Sequence, residues 1–161
     1  MFNHTEKVLV AKLRKKNKKI SVAESCTSGW IAAMIGNVPG ASYVFDESYV
    51  TYSNEAKMRI LGVNKETLDL YGAVSHETAV EMANGVLAVS GADIGVAVTG
   101  IAGPDGGTEE KPVGLVYIGV ATKRSTKAYK YNFKGNRNKV RFNTAKTALK
   151  LAKNALKEDK K

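Results

Sequence analysis

The sequence predicts a layered α/β domain with a mixed sheet, and three observations carry this prediction. Segments with helical periodicity alternate along the chain with short β-branched segments, which is the order of an α/β protein. Asp93–Thr99 (DIGVAVT) is almost continuously apolar, as in a strand buried on both faces of a sheet. Two later strands, Leu115–Thr122 and Ala128–Phe133, are close enough in sequence to form an antiparallel hairpin, so the sheet should be mixed.

The first elements form a helix followed by a strand–turn–helix unit. Thr5–Asn17 places apolar residues among charges behind a threonine cap, which predicts a short amphipathic helix. Lys18–Glu24 (KKISVAE) is typical of a strand. Thr27–Asn37 (TSGWIAAMIGN) changes from small polar residues to a helical apolar run, and the following Val38-Pro39-Gly40 should end that helix.

The next elements repeat the order of strand, turn and helix. Tyr49–Tyr52 is β-branched and aromatic and predicts a strand. Asn54–Leu61 predicts a helix, with Ser53 or Asn54 itself as its N-cap and Gly62 as its end. A longer helix is expected from Ser75 to about Ser90.

The C-terminal part contains a long loop and a last helix. The loop Gly100–Gly114 (GIAGPDGGTEEKPVG) is rich in glycine and holds two of the three prolines of the chain. Asn136–Lys157 predicts a terminal helix, and Glu158–Lys161 predicts a frayed tail. Because neither a repeat nor a linker interrupts the chain, residues 1–161 are expected to form a single domain.

Composition narrows the class of protein. The chain has 161 residues, of which 43% are hydrophobic and 25% charged, as in a globular domain with a real core. No segment approaches the roughly 18 apolar residues of a membrane span, and the N-terminus lacks the apolar region of a signal peptide, so a cytoplasmic location is expected. One cysteine and two histidines predict neither an internal disulfide nor a metal site.

The net charge of +10 is concentrated at the two ends of the chain. Residues 1–20 contain seven Lys or Arg and one acidic residue, and residues 123–161 contain fourteen and two. Residues 21–122 contain only four basic residues and twelve acidic ones. The basic ends have two interpretations, a solvated face that keeps the protein soluble or a surface with affinity for polyanions.

A first group of candidate functional residues lies in AESCTSGW, where a strand ends and a helix begins. Open α/β sheets bind ligands at the carboxyl ends of their strands, and the free amides of a helix N-terminus can stabilise an anion. Ser25 is therefore a candidate nucleophile. The alternative is that Thr27 or Ser28 only caps the helix and Ser25 is a turn residue.

A second group lies in VTYSNEAK, again where a strand leads into a helix. A lysine held near a hydroxyl in a dry site can have its pKa lowered enough to act as a general base, so Lys57 is a candidate. Ser53 is four residues before Lys57 and could meet it on one helix face, although capping would occupy its hydroxyl. Lys57 could instead be a solvated helix lysine, and Tyr52 either a proton relay or a packing residue.

Other nucleophile motifs do not fit the sequence. There is no Gly-x-Ser-x-Gly elbow, and Ser25 is followed three residues later by Ser28 rather than by a lysine. A thiol pair of Cys26 and His76 is a further alternative.

Two features predict ligand contacts. The loop after the central strand has no standard nucleotide-binding pattern, but its glycines allow backbone to approach a ligand closely. Arg137 and Arg141 lie on one face of the first turn of the last helix, where cations oppose the helix dipole unless an anion is bound. A phosphate would suit that position, and a generally basic surface is the alternative.

Four segments together resemble a known family: AESCTSG, VTYSNEAK, GAVS and VTGIAGPDGGTEEKPVG. In this order they are similar to the CinA C-terminal domain family, the nicotinamide-nucleotide amidases, from about Val8 to the last helix. The resemblance implies a three-layer α/β/α fold with a mixed, mostly parallel sheet, similar to anticodon-binding domains. It also implies hydrolysis of nicotinamide mononucleotide to nicotinate mononucleotide and ammonia in pyridine nucleotide salvage, without a cofactor.

The resemblance also assigns site residues. It implies a Ser25 nucleophile, a Lys57 base and an accompanying Tyr52 hydroxyl, with amides near the start of the Thr27 helix around the oxyanion. The implied substrate-binding residues are Thr27, Ser28, Gly29, Thr99, Gly100, Gly103 and Arg137. Two positions depart from the family pattern: Ser28 replaces a glycine, which would strain the loop or narrow the pocket if φ is positive there, and Asn136 replaces an aspartate.

The resemblance implies further properties and leaves two rival functions open. At 161 residues the chain corresponds to the stand-alone form of the domain. A small-molecule substrate is expected, neither a membrane nor a nucleic acid is an expected partner, and a homodimer stays open. The rivals are a non-catalytic nucleotide- or RNA-binding module, which the basic ends favour, and an accessory protein of competence or DNA repair.

Overall fold

The computed structural model describes residues 4–158 and contains a five-stranded sheet flanked by helices. In chain order the elements are α1 (Thr5–Lys15), β1 (Ile20–Glu24), α2 (Trp30–Gly36), a 3₁₀ turn (Ala41–Tyr43), β2 (Ser48–Val50), α3 (Asn54–Leu61), α4 (Lys65–Tyr71), α5 (His76–Ser90), β3 (Ile94–Gly100), β4 (Leu115–Thr122), β5 (Thr126–Asn132) and α6 (Arg137–Glu158). None of the helices in this described part is long and apolar enough to cross a membrane.

The sheet has the strand order β2-β1-β3-β4-β5. β1 pairs in parallel with both β2 and β3, whereas β4 is antiparallel to β3 and to β5. The mixed sheet is therefore confirmed. Although only two of the four strand pairs are parallel, four of the five strands run in the same direction. The carboxyl ends of β1, β2 and β3 consequently lie at one edge of the sheet.

One face of the sheet is covered by α1, α2 and α6. Large apolar side chains of these helices, such as Leu13, Ile35 and Leu149, pack on β-branched residues of the strands, such as Val96 and Ile118. Burial of each such side chain contributes about 1.5–3 kcal/mol to folding. This is the larger of the two hydrophobic cores.

The other face is covered by α3, α4 and α5 and is lined by small residues. Ala23, Ala97 and Ala121 project from the strands here and pack on the helices. A Cβ atom on Gly119 would lie 2.4 Å from the carbonyl oxygen of Ala79, so α5 lies directly against the backbone of the sheet. Helices on both faces confirm the three-layer α/β/α architecture.

Several element boundaries differ from the sequence prediction. α2 begins at Trp30 rather than Thr27, and β5 begins at Thr126 rather than Ala128. The short helix α4 (Lys65–Tyr71) was not predicted, because seven residues give too few turns for a clear periodicity. Of the predicted frayed tail, Glu158 is the last residue of α6, and residues 159–161 lie outside the described residues.

The predicted limits of α3 are confirmed in detail. The Ser53 hydroxyl accepts a hydrogen bond from the amide of Ala56, as an N-cap residue should. Gly62 ends the helix with a φ of +69°, a left-handed conformation that favours glycine. These limits fix the direction in which Lys57 leaves the helix.

Candidate active site

A cavity of about 280 Å³ lies at the carboxyl ends of the three parallel strands. Ser25 follows β1, Tyr52 follows β2, and Thr99 and Gly100 end β3. The cavity is completed by Lys57 from α3, Arg137 from α6 and part of the loop after β3, and its further lining residues are Cys26, Asn54, Ala73, Val74, Ile101, Ala102, Gly103, Asp105 and Gly106. The topology therefore brings together both groups of candidate residues from the sequence.

Lys57 is buried, with 1% of its surface exposed. Its Nζ donates hydrogen bonds to Ser25 Oγ at 3.2 Å, to the Thr51 carbonyl at 3.1 Å and to the Tyr52 carbonyl at 3.1 Å. Among residues 4–158, no carboxylate is close enough to form a salt bridge with it. Burial lowers the pKa of this amine below its usual 10.5, because desolvation penalises the charged form.

These three contacts orient the amine toward Ser25. A neutral amine has two N–H bonds and one lone pair, and the two carbonyl oxygens can only accept hydrogen bonds. When the carbonyls of Thr51 and Tyr52 accept from both N–H bonds, the lone pair remains for the Ser25 hydroxyl. The geometry is that of a nucleophile with an adjacent base.

Ser25 is held close to the lysine by the backbone. Its amide donates to the Val98 carbonyl of β3 at 3.2 Å, which extends the β1–β3 pairing by one residue. The side chain is buried, and its Oγ also lies 3.5 Å from the Tyr52 carbonyl. Ser53 caps α3, so Ser25 is the hydroxyl that contacts Lys57.

Glu24 is a buried residue beside the site that the sequence analysis missed. Its buried carboxylate accepts four hydrogen bonds, from Thr27 Oγ1 at 2.5 Å and from the amides of Gly29 at 3.0 Å, Ile31 at 3.1 Å and Ala32 at 2.9 Å. A charged residue at the end of an apolar strand, just before a helix N-terminus, was the available signal. The expectation that these helix amides bind an oxyanion is corrected, because Glu24 occupies them.

The segment Thr27–Gly29 therefore shapes the loop and does not line the cavity. Thr27 is fully buried against Glu24, and Gly29 donates to the same carboxylate. Ser28 is exposed and has a φ of +51°, so the strained backbone expected from its replacement of a glycine is present. Its side chain does not narrow the cavity.

Arg137 and Tyr52 meet at the mouth of the cavity. Arg137 Nη1 donates to the Gly103 carbonyl at 2.8 Å, and Nη2 donates to the Tyr52 hydroxyl at 3.2 Å. Tyr52 is 54% exposed, and only its backbone carbonyl contacts Lys57. Its hydroxyl thus lies with Arg137, and the described contacts do not join it to Ser25.

Arg141, the second arginine of this turn, stabilises the loop after β1. It donates to the carbonyls of Cys26 and Thr27, both at 3.0 Å, and its guanidinium lies 5.0 Å from the centre of the Trp30 ring. These contacts satisfy its charge without an anion. Asn136 accepts from the amide of Lys139 at 3.0 Å and so caps α6, as an aspartate would.

The loop after β3 forms one wall. Thr99 is buried and donates to the Ala73 carbonyl at 2.7 Å, which ties β3 to the segment before α5. Gly103 has a φ of +82°, and a Cβ there would lie 2.5 Å from Val113, so the loop can close only around glycine. Thr99, Gly100 and Gly103 all line the cavity, and their contact with substrate stays a prediction.

The alternative thiol pair does not form. Cys26 lines the cavity, but burial raises the pKa of its thiol to about 12, which leaves it protonated at neutral pH. His76 is exposed at the start of α5 and is not among the lining residues. Within residues 4–158 no three His, Cys, Asp or Glu side chains lie close enough together to hold a metal ion.

Fold and site together define the class of protein: an α/β domain with a buried serine–lysine pair at the ends of its parallel strands. The family model described as the CinA C-terminal domain matches residues 2–156. The chain belongs to the CinA C-terminal domain family.

Two curated relatives that are named CinA-like proteins have longer chains than this one. The CinA-like protein of Endomicrobium trichonymphae is 54% identical over 155 residues, which cover 96% of this chain and 36% of that protein. The CinA-like protein of Kosmotoga olearia is 53% identical over 151 residues, covering 94% and 37%. The chain therefore spans little more than a third of the length of these relatives.

Solved structures match over almost their full length. The competence/damage inducible protein CihA of Agrobacterium tumefaciens has a TM-score of 0.92 and 40% identity and covers 96% of both chains. A CinA superfamily protein of Klebsiella pneumoniae has a TM-score of 0.94 and 30% identity, covering 98% of this chain and 99% of its own. These names refer to competence and damage and mention no reaction.

Proposed function

We propose that this protein hydrolyses the carboxamide of nicotinamide mononucleotide to nicotinate mononucleotide and ammonia. The observation that carries the proposal is the 3.2 Å contact between Ser25 Oγ and the buried Lys57 amine, which has no carboxylate partner in the described residues. A serine–lysine pair of this kind supports acyl transfer without histidine. The choice of substrate rests on the family resemblance of the sequence motifs.

The first half of the reaction forms an acyl-enzyme. Neutral Lys57 accepts the proton of the Ser25 hydroxyl as Oγ attacks the carboxamide carbon, which gives a tetrahedral intermediate. The protonated amine then donates its proton to the leaving nitrogen. The C–N bond breaks, ammonia departs, and Ser25 carries the nicotinoyl ester.

The second half regenerates the serine. Water attacks the ester carbon while neutral Lys57 accepts one of its protons. The ester C–O bond breaks and the proton returns to Ser25 Oγ, which releases the carboxylic acid as nicotinate mononucleotide. One lysine thus performs both proton transfers.

The oxyanion needs a donor other than the amides held by Glu24. The amide of Cys26 follows the nucleophile directly and belongs to a cavity-lining residue, and in the described residues it interacts with its own thiol rather than with another backbone group. We assign it as one oxyanion donor. A single donor of this kind typically contributes a factor of about 10² to 10³ to the rate.

Arg137 is the proposed phosphate-binding residue. Its guanidinium has five N–H donors, of which the contacts to Gly103 and Tyr52 use two, so the others can bind phosphate oxygens. The same two contacts fix the guanidinium at the cavity mouth. Its position suits a phosphate at the far end of a substrate whose carboxamide lies at Ser25.

The test is to incubate the protein with nicotinamide mononucleotide and to measure ammonia and nicotinate mononucleotide. Wild type should release both in equal amounts, Ser25→Ala should release neither while keeping its circular dichroism spectrum, and the matched Cys26→Ala should retain most turnover. Binding without product would favour a non-catalytic nucleotide-binding module. If the protein neither binds nicotinamide mononucleotide nor forms product, the remaining function is an accessory role in competence or repair.

A further inference from the structure

A row of lysines on α6 is unrelated to the catalytic cavity. Lys146, Lys150, Lys153 and Lys157 follow one another at intervals of four, three and four residues. At 3.6 residues per turn they lie within about 60° of arc on the solvent side of the helix. They form a straight stripe about 16 Å long, which we name the lysine stripe.

The stripe has little electrostatic compensation. Like charges three and four residues apart destabilise a helix, and a solvated face usually alternates positive with negative charges. Glu158 is the one acidic residue of α6, and it pairs with Lys127 of β5 at 3.2 Å. Within residues 4–158, none of the four stripe lysines forms a salt bridge, and only Lys157 lies in the last turn, where the helix dipole favours a cation.

Tertiary packing adds positive charge beside the stripe. α1 lies alongside α6, and its neighbour Lys16 donates from Nζ to the Leu156 carbonyl at 2.5 Å. Together α1 and α6 contain eleven Lys or Arg and two acidic residues, whereas α3, α4 and α5 contain three and five. The molecule is therefore polarised, with its basic side on the helical layer that contains α6.

We propose that the lysine stripe binds the phosphate backbone of nucleic acid. One strand of a duplex offers a negative charge every ~3.4 Å, so each lysine of the stripe can reach a phosphate. This revises the expectation that nucleic acid is not a partner, and it is independent of the amidase proposal. The sequence analysis left open that the basic C-terminal segment binds polyanions, and the proposal assigns that binding to the lysine stripe.

The composition around the stripe favours nucleic acid over a membrane. A helix that lies in a lipid interface needs exposed apolar side chains to insert. The apolar residues of α6, such as Leu149 and Leu156, are buried in the core, and Thr147 and Asn154 between the lysines are polar. Phe142, the one large apolar residue of α6 that is exposed, precedes the stripe and packs on Trp30.

The test measures binding of fluorescein-labelled 20-mers of single-stranded DNA, duplex DNA and RNA by anisotropy between 50 and 200 mM KCl. Four phosphate contacts predict a slope of log K against log salt of about −3 for single strands and −3.6 for duplex, or a roughly 50- to 150-fold loss of affinity over this range. Because a backbone contact does not depend on the sugar, single-stranded DNA and RNA should share one slope, and the duplex should have the slightly steeper slope of its higher charge density. A slope near zero would overturn the proposal.

Two quadruple variants locate the contact. The stripe variant should reduce the slope by about one for each lysine removed. It combines Lys146→Gln, Lys150→Gln, Lys153→Gln and Lys157→Gln. The matched control variant removes the same charge from exposed residues outside α6 and should keep the wild-type slope. It combines Arg59→Gln, Lys65→Gln, Lys123→Gln and Lys130→Gln. Equal losses in both variants would show a net-charge effect and overturn the assignment.

A third arm uses vesicles of phosphatidylcholine and phosphatidylserine at a 3:1 ratio. The protein could bind these vesicles as tightly as it binds the oligonucleotides and lose that binding in the stripe variant. This result would overturn the nucleic-acid proposal and indicate that the stripe binds a lipid surface. Removing like charges from a solvent face should not lower the melting temperature, so thermal unfolding verifies that the variant is folded. An unfolded stripe variant would show that these lysines are structural and would also overturn the proposal.

Discussion

Glu24 and Lys57 are two charged side chains buried to the same extent at the same edge of the sheet, yet their partners differ. Each is 1% exposed. Glu24 accepts four hydrogen bonds, three of them from amides at the N-terminus of α2. Lys57 donates to two carbonyls and one hydroxyl and has no carboxylate partner in the described residues.

The difference shows that the role of a buried charged side chain depends on its hydrogen-bond partners and not on burial alone. The Glu24 carboxylate accepts hydrogen bonds from amides at the N-terminus of α2, so it serves as the anchor of the loop that carries Ser25. Desolvation of Lys57 lowers its pKa instead, so its neutral form is accessible for proton transfer. The same edge of the sheet thus holds a carboxylate that supports the loop and an amine that is proposed to transfer protons.

The largest expected effect comes from removing the base while keeping the charge. Lys57→Arg should lower kcat on nicotinamide mononucleotide by roughly 10⁴-fold, as should Lys57→Met, because a guanidinium cannot deprotonate at working pH. Steady-state release of ammonia measures this. An arginine variant within tenfold of wild type would rule out the base role.

Replacing Glu24, which holds the loop after β1, should lower the free energy of unfolding. Glu24→Ala leaves three buried amides and the Thr27 hydroxyl without an acceptor, which should cost about 3–5 kcal/mol of unfolding free energy. Glu24→Gln keeps one acceptor oxygen and should lose less. Urea denaturation of both variants measures the difference, and equal stability to wild type would contradict the anchoring role.

A third charge at the site, Arg137, is exposed and should affect binding rather than folding. A charge-assisted contact is worth about 1.5–3 kcal/mol, so Arg137→Ala should raise KM for the mononucleotide roughly tenfold to a hundredfold. The riboside lacks the phosphate and should be much less affected. An equal loss on both substrates would mean that the phosphate binds elsewhere, with the loop at residues 100–107 as the first alternative.

The lowered pKa of Lys57 should make both the activity and the stability of the protein depend on pH. Because the folded pKa of Lys57 is lowered, kcat/KM should rise with pH through an apparent pKa below 10.5. Between that value and 10.5 the unfolded chain binds one more proton than the folded one, so the stability of wild type relative to Lys57→Met should also rise with pH. A stability difference between wild type and Lys57→Met that does not rise as pH approaches 10.5 from below would contradict the lowered pKa.

The smallest effect is expected in the loop that Glu24 holds. Ser28→Gly removes the strain of a serine with a φ of +51° and should stabilise the protein by about 1 kcal/mol. Because Ser28 does not line the cavity, KM should not change. Thermal unfolding and steady-state kinetics on one preparation measure both, and a loss of stability would show that the hydroxyl contributes more than the strain costs.

The elements that depend on near neighbours could be predicted from the amino-acid sequence. The cap at Ser53, the end at Gly62 and the buried strand before the glycine loop all follow from residues within one or two turns, and the structure confirms them. Ser25 and Lys57 were identified as candidates because each follows a strand end. The short range of these signals is the reason that they can be read locally.

Which candidate residues contact one another could not be predicted, because these contacts join distant parts of the chain. The contact between Lys57 and Ser25 spans 32 residues, and that between Arg137 and Tyr52 spans 85. Such contacts depend on which strands are neighbours in the sheet, and β1 lies between β2 and β3 only after folding. Glu24 could not be distinguished from an ordinary strand residue for the same reason: its carboxylate is tolerated in the core because the N-terminus of α2 folds back onto it.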